Sequence, residues 1–299
     1  MDSKQDKVAV QPVVIKSGRL EVEIARPGTA YSGTRFDWTA FITQVTLDGR
    51  HTFCVPESYE PGQGTGGAGL CNEFGIDMPI GYDDAAIGEL FPKIGVGLLK
   101  KHSDTPYSFY GRYDLLPFAV EITAGDDHAI FRQEPVECRG YAFRLEKRVS
   151  VRENRVKIDY SLENTGHKEI HTSEYIHNFL GINGQPVGKN YCLSFPGEIQ
   201  VDCTAGKIVA GNDFITWDAR PGEDFYCRIY GNSGEKAFKW QLLHIPDGVG
   251  VREAGSYPTA KIAVWGGSHV VSPEMFVAVD LKPAERMEWT REYEFFAGL

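Results

Sequence analysis

Three features of the 299-residue sequence predict an all-β fold, a large sandwich of antiparallel sheets. The first is the stretch 141–162. Tyr141, Phe143, Leu145, Val149 and Val151 alternate there with Arg144, Glu146, Arg148 and Ser150. After a reversal at 152–155, Val156, Ile158, Tyr160 and Leu162 alternate with Lys157, Asp159 and Ser161. Alternation of this kind gives a strand one dry and one wet face, so the pair reads as a long antiparallel hairpin. The second feature is repetition: roughly fifteen segments read as strands by period and composition. The third is continuity. No linker rich in Pro, Ser or charge, no low-complexity tract and no fixed-period repeat divides the chain, so 1–299 reads as a single domain.

In chain order, Leu20, Val22 and Ile24 alternate with Arg19, Glu21 and Glu23, and a glycine-marked break follows at Gly28 to Gly33. Residues 38–47 are rich in β-branched and aromatic side chains, and Asp48-Gly49 predicts a hairpin turn into 51–55. Residues 56–69, with Pro56, Pro61 and five glycines from Gly62 to Gly69, read as a loop. Gly62, Gly64 and Gly67 fit G-x-G-x-x-G, but Pro61 precedes them and no helix pattern follows, so a dinucleotide site is not expected. A glycine-rich flap at the edge of a binding cleft suits the segment better. Residues 83–91 are expected to form one short helix. The aromatics Tyr107, Phe109, Tyr110, Tyr113 and Phe118 suit either core packing or stacking on sugar faces. Further strands are expected at 190–195, 198–203, 225–230, 237–243, 260–265, 275–281 and 286–296. On the last, Met287, Trp289, Tyr293 and Phe295 share a face.

Composition bounds the function. A hydrophobic share of 42% can fill a core of this size. The formal charge of −10, with no basic patch, argues against nucleic acid or an anionic membrane surface as partner. No apolar run approaches the roughly 20 residues that span a bilayer. The N-terminal Met-Asp-Ser-Lys-Gln-Asp-Lys lacks the apolar core of a secretory signal, so a soluble, cytoplasmic protein is expected. Cys54, Cys71, Cys138, Cys192, Cys203 and Cys227 form no C-x-x-C pair and are expected as free, mostly buried thiols.

The chemistry-bearing stretch is 159–180. Glu163-Asn164-Thr165-Gly166 reads as a turn, and the β-prone 170–180 then places His171, Ser173, Tyr175 and His177 on one side of a strand. Two imidazoles, a hydroxyl and a phenol on one face make good site material. They could also be hydrogen-bonded inside a wide sheet or solvated. His171 and His177 could share a metal across the face, but no third ligand is identifiable, and no metal site is expected. Neither an H-E-x-x-H motif nor a G-x-S-x-G elbow is present. Glu274 follows Pro273 and precedes an apolar strand; among Trp265, Met275 and Phe276 it would be partly desolvated, which favours its protonated form. The plainer reading is an exposed loop glutamate.

Together these residues resemble the galactose mutarotase-like (aldose 1-epimerase) superfamily. The resemblance rests on V-x-I-x-Y-x-L-E-N-T-G at 156–166, an aromatic-flanked His-x-Phe at 177–179, a carboxylate ahead of V-x-V-x-L-K-P-A-E at 277–285, and a closing aromatic strand ending Tyr-Glu-Phe-Phe at 293–296. It covers 140–299 well. The N-terminal half matches only in strand pattern and in the G-L-C-N-E-F-G segment at 69–75. The resemblance implies a β-supersandwich with its site in a cleft across the sheets. It assigns His177 as general acid on the sugar ring oxygen and Glu274 as general base on the anomeric hydroxyl, with no cofactor and a small carbohydrate as partner.

The chain also departs from the family pattern. The second substrate-binding histidine, usually in a His-Gly-Gly-like segment, is absent, and His102 is the nearest candidate. The arginine expected near the first cleft strand is replaced in position by Asn72-Glu73, and Ala284 stands where glycine is usual. His171 and Tyr175 join Asn72 and Glu73 as candidate substrate contacts. Lys93, Lys100 and Lys101 could meet a phosphate or uronate carboxylate, or be solvated surface. A non-catalytic carbohydrate-binding protein is the alternative, and a glycoside hydrolase or lyase a third reading. An epimerase is expected to hold His177 and Glu274 on opposite sides of a sugar-sized gap; a retaining glycosidase needs two carboxylates about 5 Å apart.

Overall fold

The alternation in the sequence folds into two ten-stranded antiparallel sheets and one of three strands. The structure, a computed structural model, describes residues 10–231 and 239–298. The first half of the chain supplies β1 (Val13–Lys16), β2 (Leu20–Ala25), β3 (Phe41–Leu47), β4 (His51–Thr52), β5 (Leu70–Phe74), β6 (Leu90–Lys93), β7 (Gly97–Lys100), β8 (Leu115–Pro117), β9 (Val120–Ala124), β10 (His128–Gln133), β11 (Phe143–Arg152) and β12 (Arg155–Asn164). The second half supplies β13 (Ile170–Asn178), β14 (Tyr191–Ser194), β15 (Ile199–Ala205), β16 (Val209–Ala210), β17 (Phe214–Thr216), β18 (Phe225–Gly231), β19 (Lys239–His244), β20 (Val249–Gly255), β21 (Lys261–Gly266), β22 (Val271–Leu281) and β23 (Arg286–Ala297).

The first large sheet runs β1-β2-β3-β5-β13-β22-β21-β18-β15, with β4 paired to β3. The second runs β16-β17-β14-β19-β20-β23-β12-β11-β10-β9. Their facing sides meet in an apolar core. Phe53 packs on Phe295 at 4.7 Å between ring centroids, Phe74 on Trp289 at 6.4 Å, and Tyr160 stacks on Trp289 at 4.8 Å. The predicted hairpin is β11–β12, in register from Phe143↔Asn164 to Arg152↔Arg155. Asp48 and Gly49 both take positive φ, the mirror-type turn that joins twisted strands in two residues.

Two charges sit where the alternation calls for apolar side chains. Lys147 on β11 and Arg291 on β23 are fully buried. Lys147 Nζ donates to Asn72 Oδ1 at 2.9 Å, to the Thr39 carbonyl at 3.3 Å and to Asp37. Arg291 donates to Glu174 at 2.8 Å and to Glu253 at 2.7 Å. Asn72 Nδ2 links the two groups by donating to Glu174. Each buried charge is therefore matched and hydrogen-bonded, the condition under which charges are tolerated inside a core.

Several expectations need correction. Residues 83–89 form turns and irregular chain that lead into β6, not a helix: Gly88 takes a φ of 89°, and Lys168 and Tyr141 both donate to the Asp84 carboxylate. The only helix among the described residues is one 3-10 turn, Ile182–Gly184. Cys203 and Cys227 are not free; they form a disulfide across β15 and β18, where they sit directly opposite each other. Cys54, Cys71 and Cys138 are buried thiols, and Cys192 is half-buried. The strand expected from 275 begins at Val271, so Glu274 lies inside β22 and not before it. The strand expected from 38 begins at Phe41. Residues 237 and 238 of the expected 237–243 strand lie outside the described residues.

Candidate functional site

One face of the first sheet carries a grid of polar and aromatic side chains, because successive residues of a strand point to opposite faces. β5 contributes Cys71 and Glu73; β13 contributes Tyr175 and His177, with Tyr175 opposite Glu73 and His177 opposite Cys71. β22 contributes Ser272, Glu274 and Phe276, which pair with Trp265, Ala263 and Lys261 of β21. Beyond them Tyr226 and Arg228 of β18 pair with Trp265 and Ala263.

The β13–β22 ladder closes at Glu174↔Val277 and does not continue through 175–178. Pro273, which has no N–H, stands opposite that gap. Side chains bridge it instead: the Asn178 N–H donates to Ser272 Oγ at 3.0 Å, and Asn178 Nδ2 donates to the Pro273 carbonyl. In this opened stretch His177 and Glu274 meet, Nε2 to Oε1, at 3.2 Å. Ser272 Oγ lies 2.9 Å from His177 Nδ1 and donates to Glu274 Oε1 at 3.2 Å. The imidazole stacks on Phe179 at 3.9 Å and meets the edges of Phe36 and Trp265. Gly67 of the glycine-rich loop presses on this wall, since a Cβ there would come within 2.4 Å of Phe179 and 2.6 Å of Phe36.

Burial sets the protonation of the pair. It pushes the Glu274 carboxyl up to about 8, against the opposing pull of Arg35, Lys261 and the Ser272 hydroxyl. It also holds the His177 imidazole well below its ordinary value, and the nearby Arg35 charge adds to the effect. A protonated carboxyl beside a neutral imidazole is the resulting state at neutral pH.

A second cluster adjoins the pair. Arg35 Nε donates to Glu73 Oε2 at 2.9 Å, Arg35 Nη2 to the Tyr175 hydroxyl at 3.0 Å, and the Tyr175 hydroxyl to Glu73 Oε2 at 2.7 Å. Lys93 Nζ reaches Glu73 Oε1 at 3.3 Å, and burial lowers its pKa. Arg35 is clamped between the Phe36 and Phe109 rings, at 4.5 and 4.2 Å. Arg35 was not singled out in the sequence, although an arginine was missed at the first cleft strand. It arrives from a segment 38 residues upstream of Glu73 with no strand pattern to mark it.

Of the candidate residues, the structure gathers His177, Glu274, Tyr175, Glu73 and Lys93 on this face. Asn72 is not among them; it points into the core toward Lys147, Tyr160 and Glu174, because it alternates with Glu73 along β5. His171 shares the face of His177 but lies at the exposed end of β13, held by Asp280 at 2.8 Å and Glu169 at 3.0 Å. His102 is exposed and lies beside Asp114. Lys101 is buried, with Nζ on the Tyr82 carbonyl and ring. The sugar-sized gap expected between His177 and Glu274 is absent, since the two groups touch and are only 3% and 4% exposed. The half-exposed Trp265 and Tyr226 lie on the open side.

The same arrangement of strands occurs in solved structures. The Slr1438 protein of Synechocystis sp. PCC 6803 superposes with a TM-score of 0.59 at 10% identity, over 97% of this chain and 96% of that one. A galactose mutarotase-like protein from Lactobacillus casei ATCC 334 gives 0.57 at 11% identity, over 95% and 100%. The fold is that of the galactose mutarotase-like proteins. An aldose epimerase homologue from C. elegans shares this fold at a TM-score of 0.51 and 13% identity, over 96% and 98%. No family model and no curated protein matches the sequence. No helix among the described residues is long and apolar enough to cross a membrane.

Proposed function

We propose that this protein is an aldose 1-epimerase, interconverting sugar anomers at the His177–Glu274 pair without a cofactor. The observation that carries the reading is the contact itself: an imidazole nitrogen and a carboxyl oxygen side by side at 3.2 Å, in a desolvated site that leaves the pair one shared proton. The ring oxygen and the anomeric hydroxyl oxygen are bonded to the same carbon, so they lie closer together than the two catalytic atoms do. A pair standing side by side can therefore serve both oxygens from one side of the sugar, with no gap between acid and base.

With hydrogen on Nδ1, directed at Ser272, Nε2 is left free to accept the Glu274 proton. Transfer of that proton, against the resting preference that burial gives the pair, makes His177 the acid and Glu274 the base. His177 then protonates the ring oxygen as Glu274 takes the proton of the anomeric hydroxyl, and the C1–O5 bond breaks to give the open-chain aldehyde. Rotation about C1–C2 presents the other carbonyl face. On closure the O5 hydroxyl attacks C1 and returns its proton to His177, while Glu274 protonates the new O1. The pair ends with the single proton it began with. Trp265 and Tyr226 offer aromatic surface for the sugar face.

The closed contact and the low exposure of both groups favour a second reading, a carbohydrate-binding protein in which the pair is structural. Anomer exchange followed by NMR separates the two. Wild type is expected to accelerate exchange on at least one aldose, and His177→Ala and Glu274→Gln to lose about 10²–10⁴-fold, the usual worth of a positioned acid or base. Sugar binding without acceleration would leave only the binding reading.

A further inference from the structure

Beside the His177–Glu274 pair, β18 outruns β21. Their pairing ends at Arg228↔Ala263, while β18 continues against β15 to Gly231. The divergence leaves a hollow of about 380 Å³ whose polar lining is Arg228, Tyr230, Thr259 and Lys261. Two observations mark it as a site for an anion. Neither Arg228 nor Lys261 forms an ion pair with a carboxylate among the described residues, in a chain whose formal charge is −10. The Lys261 ammonium is held 4.1 Å over the Phe276 ring, and Arg228 is hydrogen-bonded to the Tyr226 and Tyr230 phenols, so both cations are positioned by aromatic neighbours and not by a contacting carboxylate.

The hollow lies on the same grid as the acid–base pair. Ala263 pairs with Glu274 on one side and Arg228 on the other, so Glu274 and Arg228 are two strand spacings apart, about 10 Å. Ala263 leaves low ground between them, and Trp265 and Tyr226 border it. That separation suits a hexose with C1 at Glu274 and its far end at Arg228 and Lys261.

We propose that the hollow is an anion subsite, and that the aldose carries a phosphate or carboxylate group at the end remote from its anomeric carbon. The sugar part of the proposal rests on the epimerase reading; the anion subsite stands without it. The test has two arms on the full chain. Calorimetric titration with inorganic phosphate should show binding that weakens about tenfold in Arg228→Gln and in Lys261→Gln, as loss of one charge-assisted contact implies. In the second arm, anomer exchange is compared for a neutral hexose, its 6-phosphate and the corresponding hexuronate. One anionic sugar should exceed the neutral one in kcat/KM by at least about tenfold, and each variant should shrink that ratio. The faster anionic sugar identifies which anion the hollow takes. Absence of phosphate binding, or equal binding in wild type and both variants, would overturn the subsite; a neutral sugar turned over as well as the anionic ones would overturn the substrate class. If no sugar exchanges faster than in buffer, the epimerase reading fails, and the phosphate titration still decides the subsite.

Discussion

At the scale of single residues, the account turns on Glu274 holding a proton that an exposed glutamate would release. Its carboxyl is raised from 4.5 to about 8 by burial. Below about 4.5 the folded and unfolded chains both hold this proton; between there and about 8 only the folded chain keeps it, so this group makes stability fall as pH rises through that window. Glu274→Gln removes the dependence. The variant should match wild type near pH 5 and exceed it near pH 8 by on the order of a few kcal/mol in urea denaturation; a difference that does not change with pH would contradict the assignment. His177 acts in the opposite sense: its lowered pKa favours folding above about 6.5, and that contribution is lost as pH falls below it. Catalysis needs the pair to keep one proton, so exchange should also slow above about pH 8. Both residues were legible in the sequence as a histidine on a polar strand face and a carboxylate among aromatics. Arg35 was not, because its role depends on a fold that brings residue 35 to residue 73.

At the scale of strands, period-two alternation identified β2, β11, β12 and β23, whose apolar faces all reach the core. The same pattern could not explain Lys147 or Arg291. Each occupies a core-facing position, and the reason lies on the opposite sheet, in Asn72 and Glu174. Replacing Arg291 by Leu would leave Glu174 and Glu253 buried without their cation, and should cost about 3–5 kcal/mol by urea denaturation. The residues behind the site strands belong to this network: Asp37 lies two residues after Arg35, Asn72 directly precedes Glu73, and Glu174 directly precedes Tyr175. The 83–91 segment misled for a local reason. Its Asp-Asp-Ala-Ala composition suits a helix, but Gly88 and the pull of Lys168 on Asp84 set turns instead. The disulfide was illegible for a topological one, since Cys203 and Cys227 become neighbours only when β15 pairs with β18. Closing a loop of 24 residues, it should contribute about 3 kcal/mol, read as the loss in a Cys203→Ala/Cys227→Ala double variant.

At the scale of the whole molecule, two wide sheets give the site its character. A broad antiparallel face allows five neighbouring strands, β5, β13, β22, β21 and β18, to line up side chains from residues 71 to 276 in one plane. The fold class was readable because strands such as β2, β11, β12 and β23 repeat the same short-range signal. The site was half readable, because a grid across strands depends on register, and register is set by partners far away in the chain. Asn72 shows this most plainly: one step along β5 separates the cleft from the core. The likeness to solved structures fixes the architecture, and the chemistry rests on one contact within it. The most direct measurement is anomer exchange by NMR on neutral, phosphorylated and acidic aldoses with the purified protein. The account predicts exchange on at least one of them that rises in proportion to enzyme concentration and disappears in His177→Ala. Exchange at the buffer rate for every sugar in the panel would contradict it.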